Sequence, residues 1–554
     1  MHQAALIIRL KSLGNRNLET ADTYFNLGIA HQKHGELRES AKAYEAALSI
    51  QLAVYGDRHP NILDTYANLA NVLEKKGNDK KALQMHYEAL AVQRMTYGEK
   101  HPALANTLTD IAVVLYRQGN YEEAMSTHQL ALQIRLEAFG SNHIKVAESL
   151  TSMAAVLGNL GKHDDAMQKY REALKIQVHI LGDHHPKVAN TLFDMGLVLD
   201  SQGENDEAID VFNSALGIQV EALGIRHPDV ATSCVNLGSI FANQGKYDEA
   251  LKLYEETLKI RSKTLGDRDP RTANTQFNIG YVLECQGKRV FALEMYEKVL
   301  STWIEVYGNR HPKVADALCR MGRVSMDQGN LDEALSHHEE ALSIRREILG
   351  ERHPKVAEAY NHVGQVLARR EGKLDESIKV HYKALAIHED PLRNHPADVA
   401  TTKRYLGLRL EKAGKYEEAM KMFQDVRDIQ LETVGRRHPD VADSYESMAI
   451  VLEKQDKHLE AMQMFAHALA IRMEAYGEQH SIVADTHYSI GLFHSDKGNY
   501  ECAMRELGEA LSIQMQIYGK DHPKVTETQS AIKTVVDRQT GVFPSFFQME
   551  GMVS

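Results

Sequence analysis

The chain has 554 residues, only 12 of them proline, and carries 64 Lys+Arg against 76 Asp+Glu, a formal net charge of −12. That balance repels phosphate backbones and excludes nucleic acid as a general partner, and no apolar run reaches the length of a membrane span. Four cysteines without paired spacing (Cys234, Cys285, Cys319 and Cys502) indicate neither a disulfide framework nor a zinc site; with the lack of a signal-peptide pattern in MHQAALIIRLKSLGN, they point to the cytoplasm.

The chain repeats itself. Ala4-Ala5-Leu6 align with Ala46-Ala47-Leu48 by a shift of 42, so residues 1–16 read as the second half of a repeat. Such a lone helix is expected to expose apolar surface, as in a fragment or truncated gene product. Residues 17–521 then read as twelve helix pairs, starting near Asn17, His59, His101, His143, His185, His227, Asp269, His311, His353, His395, His438 and His480. The word Gly-x-x-His-Pro, or a close variant, marks each boundary at a spacing of 42. Between Gly350 and Gly435 the step is 85, with Leu392 where a glycine is expected. An extra residue near Arg370 is offset by a shorter loop around Pro391, and Ala397 supplies the net one. Slips of this kind are tolerated in turns.

Within each period the first helix carries a small residue at one site, from Gly28, Ala70 and Ala112 through to Gly491. Only a small side chain lets two helix backbones approach closely there. Seven residues later a turn glycine such as Gly35 or Gly245 ends the helix in the left-handed conformation, and Asp456 replaces it once. The second helix bears a small, large, small stripe, as in Ala124, His128 and Ala131 or Ala250, Tyr254 and Thr257, which forms one buried face. Proline after the loop histidine, as in His59-Pro60, suits the first position of the next helix. Residues 522–538 read as a single capping helix. Residues 539–554 read as a disordered tail, with Phe543, Phe546, Phe547 and Met549 as an alternative internal ligand for a groove.

Of the 28 histidines, eleven belong to the loop word and are a whole repeat apart, too far to share an ion. His86, His128, His338 and His381 take the large-residue place and read as core. No phosphate-binding Gly-x-x-x-x-Gly-Lys-Ser/Thr, His-Glu-x-x-His or Gly-x-Ser-x-Gly occurs. The chain is expected to be no enzyme and to hold no cofactor or metal.

Small residue, turn glycine, alanine, aromatic and alanine, in this order, is similar to the tetratricopeptide pattern. The variant HPxVA…NLA…GxYxEA…ALxI…LG resembles the repeats of kinesin light chains, and the likeness runs from about Ala4 to Val536. The expected fold is all-α, a right-handed superhelical solenoid of antiparallel helix pairs, with the eight residues beyond a 34-residue repeat lengthening mainly the second helix. The first helices are expected to line a concave groove. Positions assigned by the pattern put Asn26, Asn68, Asp110, Ser152, Asp194, Asn236 and Asn278 on that face, and the resemblance implies that the asparagines contact bound extended peptides. Further along, Arg320 and Arg323, then Asn361 and Gln365, then Lys403 and Arg404 are expected to clamp an acidic segment in repeats eight to ten, with Phe277 and Tyr281 as an apolar shelf. The lysine, asparagine and arginine set of chaperone-binding relatives is missing at places such as Phe25, Ile29, Val235 and Ser239.

These readings converge on a cytoplasmic scaffold or adaptor, without chemistry of its own, that binds proteins or peptides in its groove. The resemblance extends the expected partners to a kinesin heavy chain or motor cargo, and the expected location to the cytoskeleton. No heptad coiled coil precedes the repeats, so motor association is permitted without being shown. The alternative is the sensor or oligomerisation arm of a larger signalling protein whose effector domain lies upstream.

Overall fold

The computed structural model describes residues 2–14, 16–390 and 395–540. Pro391, Leu392 and the tail with Phe543, Phe546, Phe547 and Met549 lie outside the described residues. The chain is 83% helical, with 26 α-helices and no strand among the described residues. It divides into two compact units, Met1–Asp267 and Arg268–Ser554.

Unit one holds the helix His2–Leu13, on which Ile7 and Ile8 are exposed, followed by six antiparallel pairs from Leu18–Lys33 with Leu37–Tyr55 to Pro228–Asn243 with Tyr247–Thr264. Unit two holds six further pairs, from Pro270–Cys285 with Arg289–Tyr307 to Ser481–Asp496 with Tyr500–Tyr518, and then the single helix Pro523–Thr540. A representative first helix, Pro102–Arg117, has 16 residues and its partner, Tyr121–Phe139, has 19, so the extra length does fall on the second helix. The added residue near Arg370 sits in the turn between Pro354–Arg369 and Leu374–His388.

Each hairpin closes on one contact. A Cβ built on Gly238 would lie 2.8 Å from Tyr254 Cε1, and one on Gly196 2.8 Å from Phe212 Cζ. The ring of the second helix therefore lies flat on the backbone of the first, in space that a larger residue would fill. Ala70 and Ala112 face His86 and His128 at the same register, and all four are buried. Burial disfavours the charged imidazole at two of these places: desolvation pushes the pKa of His128 down to about 4 and that of His381, the equivalent residue facing Gly364, to about 3.

The turn between the helices uses a left-handed residue. Asp456, at φ 60°, is the non-glycine residue with positive φ, and Lys457 N–H donates to Leu452 O at 2.9 Å just as Asn78 N–H does to Leu73 O beyond Gly77. Between repeats, the loop histidine has a task that its proline neighbour does not explain. His101 Nδ1 accepts from Ala103 N–H at 3.2 Å, and His185 Nδ1 accepts from Lys187 N–H at 3.1 Å, so the ring is the N-cap of the next helix. Its face stacks on the aromatic that ends the previous helix, as in Tyr55 with His59 at 4.4 Å and Tyr518 with His522 at 4.2 Å. At Asp269 a carboxylate caps instead, accepting from Arg271 N–H at 2.8 Å.

Successive pairs are also joined by buried polar bonds between a second helix and the first helix after it. Thr191 Oγ1 donates to Gln177 Oε1 at 2.8 Å, Ser233 Oγ to Gln219 Oε1 at 2.7 Å, and Thr528 Oγ1 to Gln514 Oε1 at 2.7 Å. Arginine takes the glutamine's place at Arg135, which donates to Ser149 Oγ at 2.6 Å, and at Arg472, which donates to Thr486 Oγ1 at 2.6 Å. A slip of one residue would leave both groups buried and unpaired, so these bonds fix the stacking register. First helices of neighbouring repeats also touch directly: Ile144–Asn159 meets Pro186–Gln202, and Pro354–Arg369 meets both Pro312–Asp327 and Pro396–Lys412. At these places neighbouring first helices lie side by side.

Replacing Gly280 by Ala sets a Cβ 2.8 Å from the ring of Tyr296, which is pinned by the bond from its hydroxyl to Glu284 at 2.8 Å. The expected cost is about 1–3 kcal/mol, seen as faster amide exchange in Pro270–Cys285 and Arg289–Tyr307. Gly217→Ala, in mid-helix with nothing within 4 Å, is expected to stabilise by up to about 1 kcal/mol. Equal responses at the two glycines would contradict the close-packing account.

Candidate peptide-binding face

The predicted row from Asn26 through Asn278 to Arg320 falls on the first helices at one register, 42 residues apart. In unit one Asn26 is exposed, and Asn68 and Asn236 are partly exposed or half-buried, their Nδ2 groups donating to Asp64 O at 2.8 Å and Thr232 O at 3.2 Å of their own helices. Ser152 Oγ likewise donates to Glu148 O at 3.1 Å. The two aspartates of the row are raised above the usual carboxylate range. Desolvation raises Asp110, with His86 and Arg135 pulling the other way and Glu74 adding to the rise. Asp194 is pushed up to about 6 by burial, and no described side chain donates to it. An unpaired, half-buried carboxylate favours an incoming donor or cation, so unit one presents an acceptor-rich wall.

Unit two differs in kind. Asn278 is followed on the same register by Arg320, His362 and Tyr405. Arg320 lies over the ring of Tyr281, its Cζ 4.6 Å from the centroid, and its Nη1 is 3.9 Å from Glu284 Oε2. Arg323 pairs with Glu284 Oε1, so one carboxylate with a side chain only 7% exposed anchors both guanidinium groups. Phe277 lies between Tyr296 and Trp303, 5.4 Å from each ring, so its shelf is half spent on the core. Phe277, Arg320 and Arg323 line a cavity of about 370 Å³ that is also lined by Cys319, Arg345 and His362. Arg345 is committed to Asp316 at 2.9 Å and Glu358 at 3.0 Å. A second cavity of about 400 Å³ shares Lys355, Glu358 and His362 and reaches Gln365 and Tyr405.

Two predicted residues are placed elsewhere. Asn361 stands one position before the groove register, where helical rotation turns it inward; it is 5% exposed, donates to Thr402 Oγ1 at 2.8 Å and meets His381 Nδ1 at 3.0 Å. Lys403 has a side chain 12% exposed and is held by Asp425 at 2.7 Å and Glu389 at 3.0 Å, so its charge is spent on carboxylates of its own and the preceding repeat. Arg404 is exposed beside Tyr405. His362 and Glu284 were not foreseen, although a count of 42 from Arg320 reaches the first, and the i+4 step from Gly280 along the same helix reaches the second.

The family description Tetratricopeptide repeat matches residues 35–95, 61–137, 103–177, 145–219, 229–302, 313–390 and 398–481. The chain belongs to the tetratricopeptide repeat family. No curated protein sequence matches it. Among solved structures, the chain is similar to BtubC (BKLC) from P. vanneervenii, at 22% identity over 43% of this chain and 92% of that one with a TM-score of 0.37. It is also similar to the nearly identical TPR-like repeats of a Podosopora anserina kinesin light chain, at 22% identity over 37% and 98% with a TM-score of 0.34. The apo form of RapI matches at 18% identity over 52% and 98%, with a TM-score of 0.40. The tetratricopeptide array supports a protein-interaction scaffold, and no helix among the described residues is long and apolar enough to cross a membrane.

Because the folded state holds the Asp194 proton more tightly than the usual value of 3.8, its contribution to stability is full below about pH 4 and is lost as pH rises through about 6. Asp194→Asn is therefore expected to raise the thermal midpoint more at pH 7 than at pH 4.5. An equal effect at both pH values would contradict this placement.

Proposed function

We propose that this chain is a non-catalytic adaptor that holds extended peptide segments along its first-helix face, with an acidic segment taken by unit two. The reading rests on one observation: Arg320 and Arg323 line a groove cavity together with Phe277 and His362, and the carboxylate beneath them, Glu284, is shared between two guanidinium groups. The pair therefore retains a net positive charge toward an incoming carboxylate, and guanidinium groups can meet it bidentately. Unit one adds amide and carboxylate acceptors at Asn26, Asn68, Asp110, Asp194 and Asn236, suited to a peptide backbone or to basic side chains. A cargo-adaptor role in the cytoplasm, in the manner of the kinesin light chain whose repeats it is similar to, is the specific form of this proposal.

The test is fluorescence anisotropy with a labelled acidic peptide and a neutral peptide of the same length. Arg320→Ser combined with Arg404→Ser leaves the Arg323–Glu284 pair in place and is expected to weaken the acidic peptide about tenfold or more, with little change for the neutral one. The wild-type affinity for the acidic peptide is expected to fall with added salt. Unchanged affinity in the variant would remove the basic site.

A further inference from the structure

We propose that Cys319, His338 and His362 form a binding site for one Zn²⁺ ion. They come from three successive helices of unit two, Pro312–Asp327, Leu331–Leu349 and Pro354–Arg369. The Cys319 Sγ and one ring nitrogen from each histidine lie within 4.8 Å of one another. Nδ1 of His338 and Nδ1 of His362 are both buried with no hydrogen-bond partner, and His338 is only 1% exposed. Elsewhere at the same core place, His86 meets Glu74 at 2.8 Å and His381 meets Asn361 at 3.0 Å. His338 has no such protein partner; His128 shares that lack, and His338 differs from it in facing a thiol and a second imidazole.

The repeat brings the same three positions together in every period within a unit, so composition alone decides what each cluster can hold. Around His128 they are Thr109 and Ser152, around Tyr170 they are Thr151 and Asp194, and around Phe212 they are Phe193 and Asn236. The Cys-His-His combination of this period supplies one thiol and two imidazoles, a borderline-soft donor set that suits Zn²⁺ and is poor for Ca²⁺ or Mg²⁺. In a tetrahedral site the donor atoms stand about 3.3–3.6 Å apart, so closure requires an inward movement of about 1 Å by side-chain rotation.

Cys319 and His362 line the groove cavity, from which water would supply the fourth ligand. Its charged walls are Arg320, Arg323, Arg345 and Lys355 against Asp316 and Glu358, with Arg345 held by both carboxylates and Arg323 by Glu284. On binding, the Cys319 thiol releases its proton to solvent and its sulfur lone pair forms the bond to zinc; no electron is transferred. The ion and thiolate together add one positive charge to the groove floor.

Full-length protein stripped with a chelator would be titrated with ZnSO₄ against a chromophoric competitor, and with CoCl₂ to record its absorption spectrum. His338→Phe keeps the core filled, because Phe212, Phe423 and Phe465 occupy that register. One Zn²⁺ per chain is expected, bound about 100-fold or more weakly by Cys319→Ala and by His338→Phe, since losing a ligand should cost at least as much as losing its supporting partners. His128→Phe should leave binding unchanged, and a thiolate-to-cobalt band should be present in the wild type and absent in Cys319→Ala. Equal zinc affinity in the wild type and in both ligand variants, or a cobalt spectrum without the thiolate band, would overturn the site.

Discussion

The contact on which the rest depends is a ring lying on a helix backbone. Where Gly28 faces Tyr44, Gly280 faces Tyr296 and Gly407 faces Phe423, an added Cβ would come within 2.7–2.8 Å of the ring. The small residue brings the two helices of a hairpin close, and the ring seals the space between them. The stripe that supplies the ring also supplies the small residues beside it, such as Ala250 and Thr257 around Tyr254, all fully or almost fully buried. Once each hairpin is closed in this way, its remaining apolar surface can be buried only against the hairpins before and after it.

The outward register of the first helices is then free to vary, because it contributes little to this packing. That freedom is where the two units diverge. Unit one fills it with Asn26, Asn68, Asp110, Ser152, Asp194 and Asn236, whereas unit two turns from Asn278 to Arg320, His362 and Tyr405. The hairpin scaffold holds these side chains on helices, not on mobile loops, and the buried Thr–Gln and Ser–Gln bonds between repeats keep their spacing fixed.

Much of the fold was legible in the residues. The period, the helix pairs, the turn glycines and the Asp456 substitution all follow from spacing and local conformational preference, and the structure agrees with them. The first-helix row from Asn26 to Asn278 was legible as a register, and the placement of the residues beyond it only in part. One residue turns a helix by about 100°, so reading Asn361 in place of His362 moved the prediction from the groove to the core, against His381. Lys403 was misjudged because its partners, Glu389 and Asp425, lie on the second helices flanking its own helix and no local pattern couples them. The loop histidines were read as punctuation, yet all but His395 cap a helix, and those that follow an aromatic by four residues, such as His59, His311 and His480, also stack on it; that recurring aromatic was the available signal. The Cys319, His338 and His362 cluster could not be found from motif spacing, since three helices bring it together.

The most direct measurement excises one whole period. Removing residues 101–142 joins Lys100 to His143 and leaves every remaining ring on its own small residue. If each hairpin is closed from within and stacked on its neighbours alone, circular dichroism will show helix lost in proportion to the removed pair, with cooperative unfolding retained. Loss of helix throughout the chain, or aggregation in place of a shortened folded array, would contradict the account.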